Sequence, residues 1–169
     1  MELLPRTILR EELEALRVNI ISNHQRAGQK ASGRTAASLY VETDAEGGVL
    51  WARKAFGVLE TGRRGGRVPR NFQEIIIQWL RDKGIKAQPI PYLTNRPHKY
   101  TPEQRGTLRL SYLIARKIRR EGTRLYRSGG RNDIYSQEIQ RTVEKIEERM
   151  LKLVKAEIEH IKLNNVEVE

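Results

Sequence analysis

Apolar residues recur at helical spacing near the start of the chain. Leu9, Leu13, Leu16 and Ile20 lie three or four positions apart, with charged residues between them. This spacing places the apolar side chains on one face of an α-helix and the charged side chains on the other. We therefore predict an amphipathic helix that ends near Gly28.

After this helix the period changes to two. Apolar and polar residues alternate over 37–43 and again over 49–53, and a turn-forming Glu-Gly-Gly segment lies at 46–48. Alternation of this kind is typical of strands with one buried face. We predict a β-hairpin here. The following segment, 55–60, fits either a third strand or a short helix.

A further apolar stripe predicts a helix over 71–83. Asn71 with Glu74 three positions later resembles a capping box, and Gly84 supplies a stop. We expect this helix to pack on the hairpin. Its apolar face consists of Phe72, Ile75, Ile76, Trp79 and Leu80.

The segment 85–106 holds four of the six prolines. A long irregular stretch inside a domain is usually functional or a linker, and we expect this one to be a proline-rich insertion that is mobile in the free protein. A second helix start follows at Thr101, and Gly122 ends that helix.

The last apolar stripe predicts a long helix from Ile134 to about Leu163, after a flexible joint at 128–130. It offers more apolar surface than a small hairpin can cover, so part of it should pack on the first helix or on another copy of the chain. The end, 165–169, alternates like a strand, as a frayed tail or as an arm that pairs with a neighbour's sheet. The predicted subunit contacts are Ile146, Met150, Val154, Ile158, Val166 and Val168.

Together these elements predict an α+β fold. A small antiparallel sheet built on the hairpin packs with amphipathic helices, and a long C-terminal helix follows. We predict one domain over 1–127, with the insertion at 85–106, and a second part over 128–169.

The net charge is +11, and two segments carry most of the excess positive charge. One is a glycine-rich loop at 62–70; the other, 105–131, has nine basic residues and one acidic residue, Glu121. Arginine forms bidentate contacts with phosphate and carboxylate, so the partner is either DNA phosphate or an acidic protein surface. A solvated loop that aids solubility is the alternative. The contact candidates are Arg63, Arg64, Arg67, Arg70, Arg116, Arg119, Arg120, Arg124, Arg127 and Arg131.

Candidate chemistry is sparse. The chain has no cysteine, its three histidines lie far apart in the sequence, and its glycine-rich loop lacks the Gly-Lys-Ser/Thr end of a phosphate-binding loop. No signal peptide and no membrane-spanning stretch is predicted, so we expect a soluble protein made in a cytoplasm. We expect no enzyme, no cofactor and no metal site. A small nuclease that uses His98 is a weaker hypothesis.

Three segments carry a resemblance to a known family. Ser32-Gly33-Arg34-Thr35 precedes the hairpin, and Phe56-Gly57-Val58-Leu59-Glu60-Thr61-Gly62-Arg63 follows it. Gly65-Gly66-Arg67-Val68-Pro69 then leads into the helix at 71–83. In this order they resemble the tail-completion or neck (head–tail connector) proteins of tailed bacteriophages, in the variant of phages that infect Bacteroidetes. The resemblance covers residues 8–122; the insertion at 85–106 and the length of the C-terminal helix depart from it.

The resemblance implies a non-catalytic virion protein in the neck, between capsid portal and tail. Identical subunits would form a ring around the channel through which double-stranded DNA passes. The partners would be the portal or an adjacent connector ring, tail proteins and DNA phosphate, with no membrane. A sequence-independent nucleic-acid-binding architectural protein is the alternative, because we find no base-reading motif.

Overall fold

The computed structural model describes residues 3–44, 46–93 and 98–166 of the chain. The expected α+β class is confirmed, with a two-stranded antiparallel sheet and several helices. The helices are α1 (Leu3–Arg26), α2 (Arg34–Ala37), α3 (Val58–Thr61), α4 (Phe72–Asp82), α5 (Pro102–Glu121), α6 (Arg124–Arg127) and α7 (Ser136–Val166); the strands are β1 (Tyr40–Thr43) and β2 (Gly48–Trp51).

The chain divides into two compact units. The terminal unit comprises Met1–Gly28, Ala36–Lys54 and Asn132–Glu169, and the central unit comprises Gln29–Thr35 and Ala55–Arg131. This division differs from the predicted boundary between residues 127 and 128. The reason is that the C-terminal helix packs along the N-terminal helix, so the two ends of the sequence share one core.

In the terminal unit, α1 and α7 run antiparallel. Asn23 donates to Glu138 at 3.3 Å near one end of the pair, and Arg149 reaches Glu11 and Glu12, at 2.7 Å each, further along it. Part of the C-terminal helix therefore packs on the first helix, one of the two expectations. The buried apolar residues of the terminal unit are Ile8, Leu16, Ile20, Leu39 and Ile134. Their removal from water stabilises this unit.

The hairpin packs on α1 by one face. In its register Val41 opposes Leu50, and this half-buried pair lies on the α1 side. Opposed residues of an antiparallel pair share a face, so Tyr40 and Trp51 lie together on the outer face. Their rings stack with centroids 6.4 Å apart. The predicted hairpin with one buried face is thus present.

In the central unit, the buried face of α4 packs against α5. Phe72, Ile76 and Leu80 form its core, and α5 residues including Leu110 and Ile114 pack against them. The expectation that the helix at 71–83 packs on the hairpin, which belongs to the terminal unit, stays a prediction. The amphipathic pattern of α4 identified the face that is buried, but several apolar surfaces in the chain could have covered it.

The starts of α4 and α5 differ. Asn71 occupies the N-cap position of α4 but makes no side-chain cap hydrogen bond, so the predicted capping box is absent there. Thr101 caps α5 with a full capping box: its side chain accepts from the Gln104 backbone N–H, and the Gln104 side chain accepts from the Thr101 N–H.

Other expectations concern short or terminal segments. Residues 55–60 form a 3-10 turn (Lys54–Gly57) and α3, so the helical alternative holds and the strand does not. Val166 ends α7 in helical conformation, whereas Val168 lies outside the described residues, as does most of the predicted strand-like end.

The proline-rich segment is tied to α5 where it is described. The Ile90 N–H donates to the Pro102 carbonyl at 2.9 Å, and the Arg105 guanidinium donates to the Pro91 carbonyl at 2.9 Å. The Tyr92 hydroxyl donates to the Tyr100 carbonyl at 2.9 Å. The mobility expected for this segment in solution stays a prediction.

Candidate arginine groove

The glycine-rich loop lies against the C-terminal end of α5. The Gly66 N–H donates to the Arg119 carbonyl at 2.7 Å. Arg63 and Thr123 are joined twice: the Arg63 N–H donates to the Thr123 hydroxyl at 2.9 Å, and the Thr123 N–H donates to the Arg63 carbonyl at 2.9 Å. Backbone contacts therefore bring the two basic segments of the sequence together.

Glycine makes this close approach possible. Gly62 and Gly122 have φ of +69° and +82°, each with ψ near 180°, a region that only glycine adopts without strain. A Cβ on Gly122 would also lie 2.6 Å from the Arg63 carbonyl oxygen, and one on Gly65 would lie 2.9 Å from the Arg120 carbonyl oxygen. The loop and the end of α5 thus pack backbone to backbone.

Between the loop and α5 lies an open groove with a volume of about 870 Å³. Five arginines line it, two from the loop and three from α5. All five are exposed to solvent. We call this the arginine groove, and its basic residues are Arg67, Arg70, Arg116, Arg119 and Arg120.

The floor of the arginine groove is apolar. Val68, Phe72 and Ala115 line it, together with the exposed ring of Tyr112. Tyr112 was not among the contact residues predicted from the sequence. Its position four residues before Arg116 places both side chains on the same face of α5, and this spacing could have indicated Tyr112.

Few ion pairs within the described residues neutralise the five arginines of the groove. Its lining residues include no carboxylate. Among the ion pairs formed within the described ranges, only Arg120 of the five arginines takes part, in a long 3.9 Å contact with Glu121. Glu121 lies closer to Arg127, at 3.2 Å. The positive charges of the groove are therefore available to an external anion.

The structure places the other predicted contact residues elsewhere. Arg63 turns inward, with its guanidinium 5.3 Å from the centre of the Phe72 ring and donating to the Arg67 carbonyl at 2.8 Å. Arg64 and Arg124 are exposed but do not line the groove. Arg127 and Arg131 line a separate recess of the central unit, beside the buried Glu60.

This arrangement suits the binding of an anion. Guanidinium groups form two parallel hydrogen bonds to phosphate or carboxylate oxygens, and arginines on two walls can hold an extended anion between them. The groove lining includes no histidine. His98 stacks on Tyr92 in the proline-rich segment, with ring centroids 4.1 Å apart.

Within residues 3–44, 46–93 and 98–166, no group of three or more His, Asp or Glu side chains is placed to hold a metal ion. None of the helices in that part of the chain is long and apolar enough to cross a membrane.

No protein-family model, no curated protein and no solved structure matches this chain.

Proposed function

We propose that this chain is a virion structural protein, a subunit of a homo-oligomeric neck ring that joins portal and tail around the DNA channel. The observation that carries the proposal is the arginine groove, in which five arginines from two distant segments face solvent without a carboxylate among them. Such a surface fits the phosphate backbone of DNA and reads no sequence. The resemblance of residues 8–122 to neck proteins supplies the context of a ring.

In this role the groove arginines hold DNA by charge alone. Each phosphate that they neutralise releases condensed counterions, so binding weakens as salt rises. If each of the five arginines meets one phosphate, the slope of log K against log salt is about −4 to −5. Different sequences of equal length should bind equally.

The direct test is the position of the protein in particles. Electron microscopy of particles that carry a labelled copy should show the label at the junction of head and tail. Particles that lack the protein should contain filled heads and unattached tails. Label spread over the capsid shell or along the tail tube, or normal particles without the protein, would contradict the neck assignment.

The second candidate is a sequence-independent nucleic-acid-binding architectural protein, which the same groove favours. The two differ in what the isolated chain does. An architectural protein binds DNA tightly by itself, whereas a ring subunit binds weakly until partners align several grooves along the DNA.

A filter-binding titration separates these candidates. The isolated chain is titrated against two unrelated duplexes of equal length at low and at physiological salt. Tight, salt-sensitive binding by the single chain favours the architectural protein. Weak binding that rises sharply when the chain is assembled favours the ring subunit. The variant Arg116→Glu/Arg119→Glu should lose binding in either case, which shows that the groove is the site.

A further inference from the structure

The ring of Tyr112 is exposed in the floor of the arginine groove. Its side chain is 53% exposed, whereas the other ring of the floor, that of Phe72, is 8% exposed and lies under the Arg63 guanidinium. In the described part of the chain, the Tyr112 side chain forms no hydrogen bond and stacks on no other ring. The groove therefore presents an aromatic ring that a ligand can cover.

Tyr112 lies in line with the arginines of one wall. Arg116 follows it by four positions and Arg119 by seven, so the three side chains share one face of α5. The glycine-rich loop supplies Arg67 and Arg70 from the other side of the groove. The groove thus combines cations on both walls with an aromatic ring on its floor.

Phosphate alone does not account for this lining. Besides the five arginines and Gly66, every residue that lines the groove is apolar or aromatic; these residues are Val68, Pro69, Phe72, Tyr112 and Ala115. Charged oxygens are strongly hydrated, so contact with such a surface costs free energy instead of supplying it. A ligand that uses the whole groove has anionic groups at its edge and flat apolar groups beside them.

Nucleic acid has both kinds of group, but a duplex exposes only one of them. In double-stranded DNA the bases stack on each other, and the grooves show only the edges of the bases. In a single strand the faces of the bases are free, and aromatic side chains in a positively charged groove stack on them. We propose that the arginine groove binds single-stranded nucleic acid, with a base stacked on Tyr112 and the neighbouring phosphates held by the groove arginines.

The arginines also favour a nucleotide over an acidic peptide. A guanidinium plane stacks on a base and also donates to phosphate, so one residue type binds both parts of a nucleotide. An acidic peptide offers carboxylates to the same arginines, but it offers a flat ring only where it contains an aromatic residue. The peptide is the competing occupant, and the experiment includes it.

This inference rests on one element of the proposed function, that nucleic acid is the ligand of the groove, and it specifies the form of that nucleic acid. The two fail separately. If Tyr112→Ala weakens no probe while Arg116→Glu/Arg119→Glu weakens all of them, the proposed function stands and the inference falls. If Tyr112→Ala weakens binding of the single strand and no duplex binds, the inference stands and the groove has no role in a duplex channel.

Four probes test the proposal on the full chain. They are a single-stranded oligonucleotide, the same strand without its bases, a duplex of equal length, and a peptide of alternating glutamate and valine with the same net charge as the single strand. Fluorescence anisotropy at several salt concentrations gives the affinities. One stacked base should make the single strand bind about 5- to 150-fold more tightly than the strand without bases. Equal affinities for these two strands would overturn the proposal, and tighter binding of the peptide would assign the groove to an acidic protein partner instead.

Variants of Tyr112 identify the stacking residue. Tyr112→Ala should lose the extra affinity for the single strand and bind the strand without bases as before, with an unchanged salt slope because no charge is removed. Tyr112→Phe should retain the extra affinity, because it keeps the ring and lacks only the hydroxyl.

Tyr40→Ala is the matched control, because Tyr40 is 57% exposed but lies on the hairpin. It should bind all probes like the wild-type chain, and circular dichroism verifies that the variants fold. An equal loss from Y112A on both strands, or a Y112F variant as weak as Y112A, would contradict stacking on the ring.

Discussion

The backbone N–H of Gly66 donates to the carbonyl oxygen of Arg119 across 2.7 Å. This bond joins the glycine-rich loop to α5, and with it two arginine clusters that are far apart in the sequence. The carbonyl is one of the last of α5, which have no partner within the helix itself. The loop therefore satisfies the end of α5 while it forms one wall of the arginine groove.

Neutralising single groove arginines should weaken DNA binding in a regular way. Arg116→Gln and Arg119→Gln each remove one phosphate contact, so each should reduce the salt slope by about 1 and lower affinity on all sequences alike. Arg10→Gln is the matched control, because Arg10 is an exposed arginine of α1 with the same charge. Filter binding at several salt concentrations provides the measurement. An equal loss from R10Q would mean that net charge matters rather than the groove.

Replacing Gly122 should destabilise the central unit. Gly122→Ala puts a side chain at φ +82° and ψ −179°, and its Cβ would crowd the Arg63 carbonyl. Backbone strain of this type costs on the order of 1–3 kcal/mol, to which the steric clash adds. Urea unfolding measures the free energy of unfolding. Gly129→Ala also has positive φ, at +87°, but no atom lies within 4 Å of its Cβ, so it should cost less than G122A.

Truncation of a buried side chain of α4 should lower the free energy of unfolding strongly. Leu80 is 1% exposed, and Leu80→Ala leaves a cavity against α5, at a cost of about 2–5 kcal/mol. Ile75→Ala, on the same helix, should cost far less, because Ile75 is 45% exposed. Chemical denaturation of both variants gives the comparison. Equal costs would contradict the assigned packing of α4 on α5.

The N-terminal cap of α5 should affect both the stability of the protein and the pKa of Glu103. Thr101→Ala should cost about 1 kcal/mol of stability, and Thr101→Ser should cost little, because serine caps equally well. Hydrogen bonds from its own backbone N–H and from the Thr101 side chain lower the pKa of Glu103 below 4.5. T101A should therefore raise the pKa of Glu103, as measured by NMR titration.

The sign of this effect sets its pH range. A carboxylate whose pKa is lower in the folded state stabilises the fold above its unfolded pKa, and that contribution is lost as pH falls through the folded pKa. The wild-type chain should thus lose this part of its stability below about pH 4.5, and T101A should lose less over the same range. Identical acid profiles for both proteins would contradict the role of Thr101.

Local signals in the sequence predicted several elements well. Gly84 ends α4 as expected, because its φ of +67° permits the bonds from Gly84 to Arg81 and from Ile85 to Leu80 that close a helix C-terminus. The start of α5 at Thr101 and the hairpin were also identified. Each of these features depends on neighbouring residues, so the sequence contains the relevant information directly.

Long-range packing could not be predicted in the same way. The pattern of α4 showed that Ile76 and Leu80 are buried, yet it did not show that α5 covers them rather than the hairpin. The arginines of the groove were identified as two clusters, but their convergence depends on the Gly66–Arg119 bond and on the inward turn of Arg63. Such contacts follow from the three-dimensional fit of surfaces, which periodicity does not encode.

The antiparallel pairing of α1 with α7 also determines the order in which the protein can fold during synthesis. Glu12 and Arg149, which meet at 2.7 Å, are separated by 137 positions in the chain. The ribosome completes the central unit before it has made α7, and domains generally fold as they emerge. The first helix therefore lacks α7 until the end of synthesis, so its packing is completed only after α7 has been made.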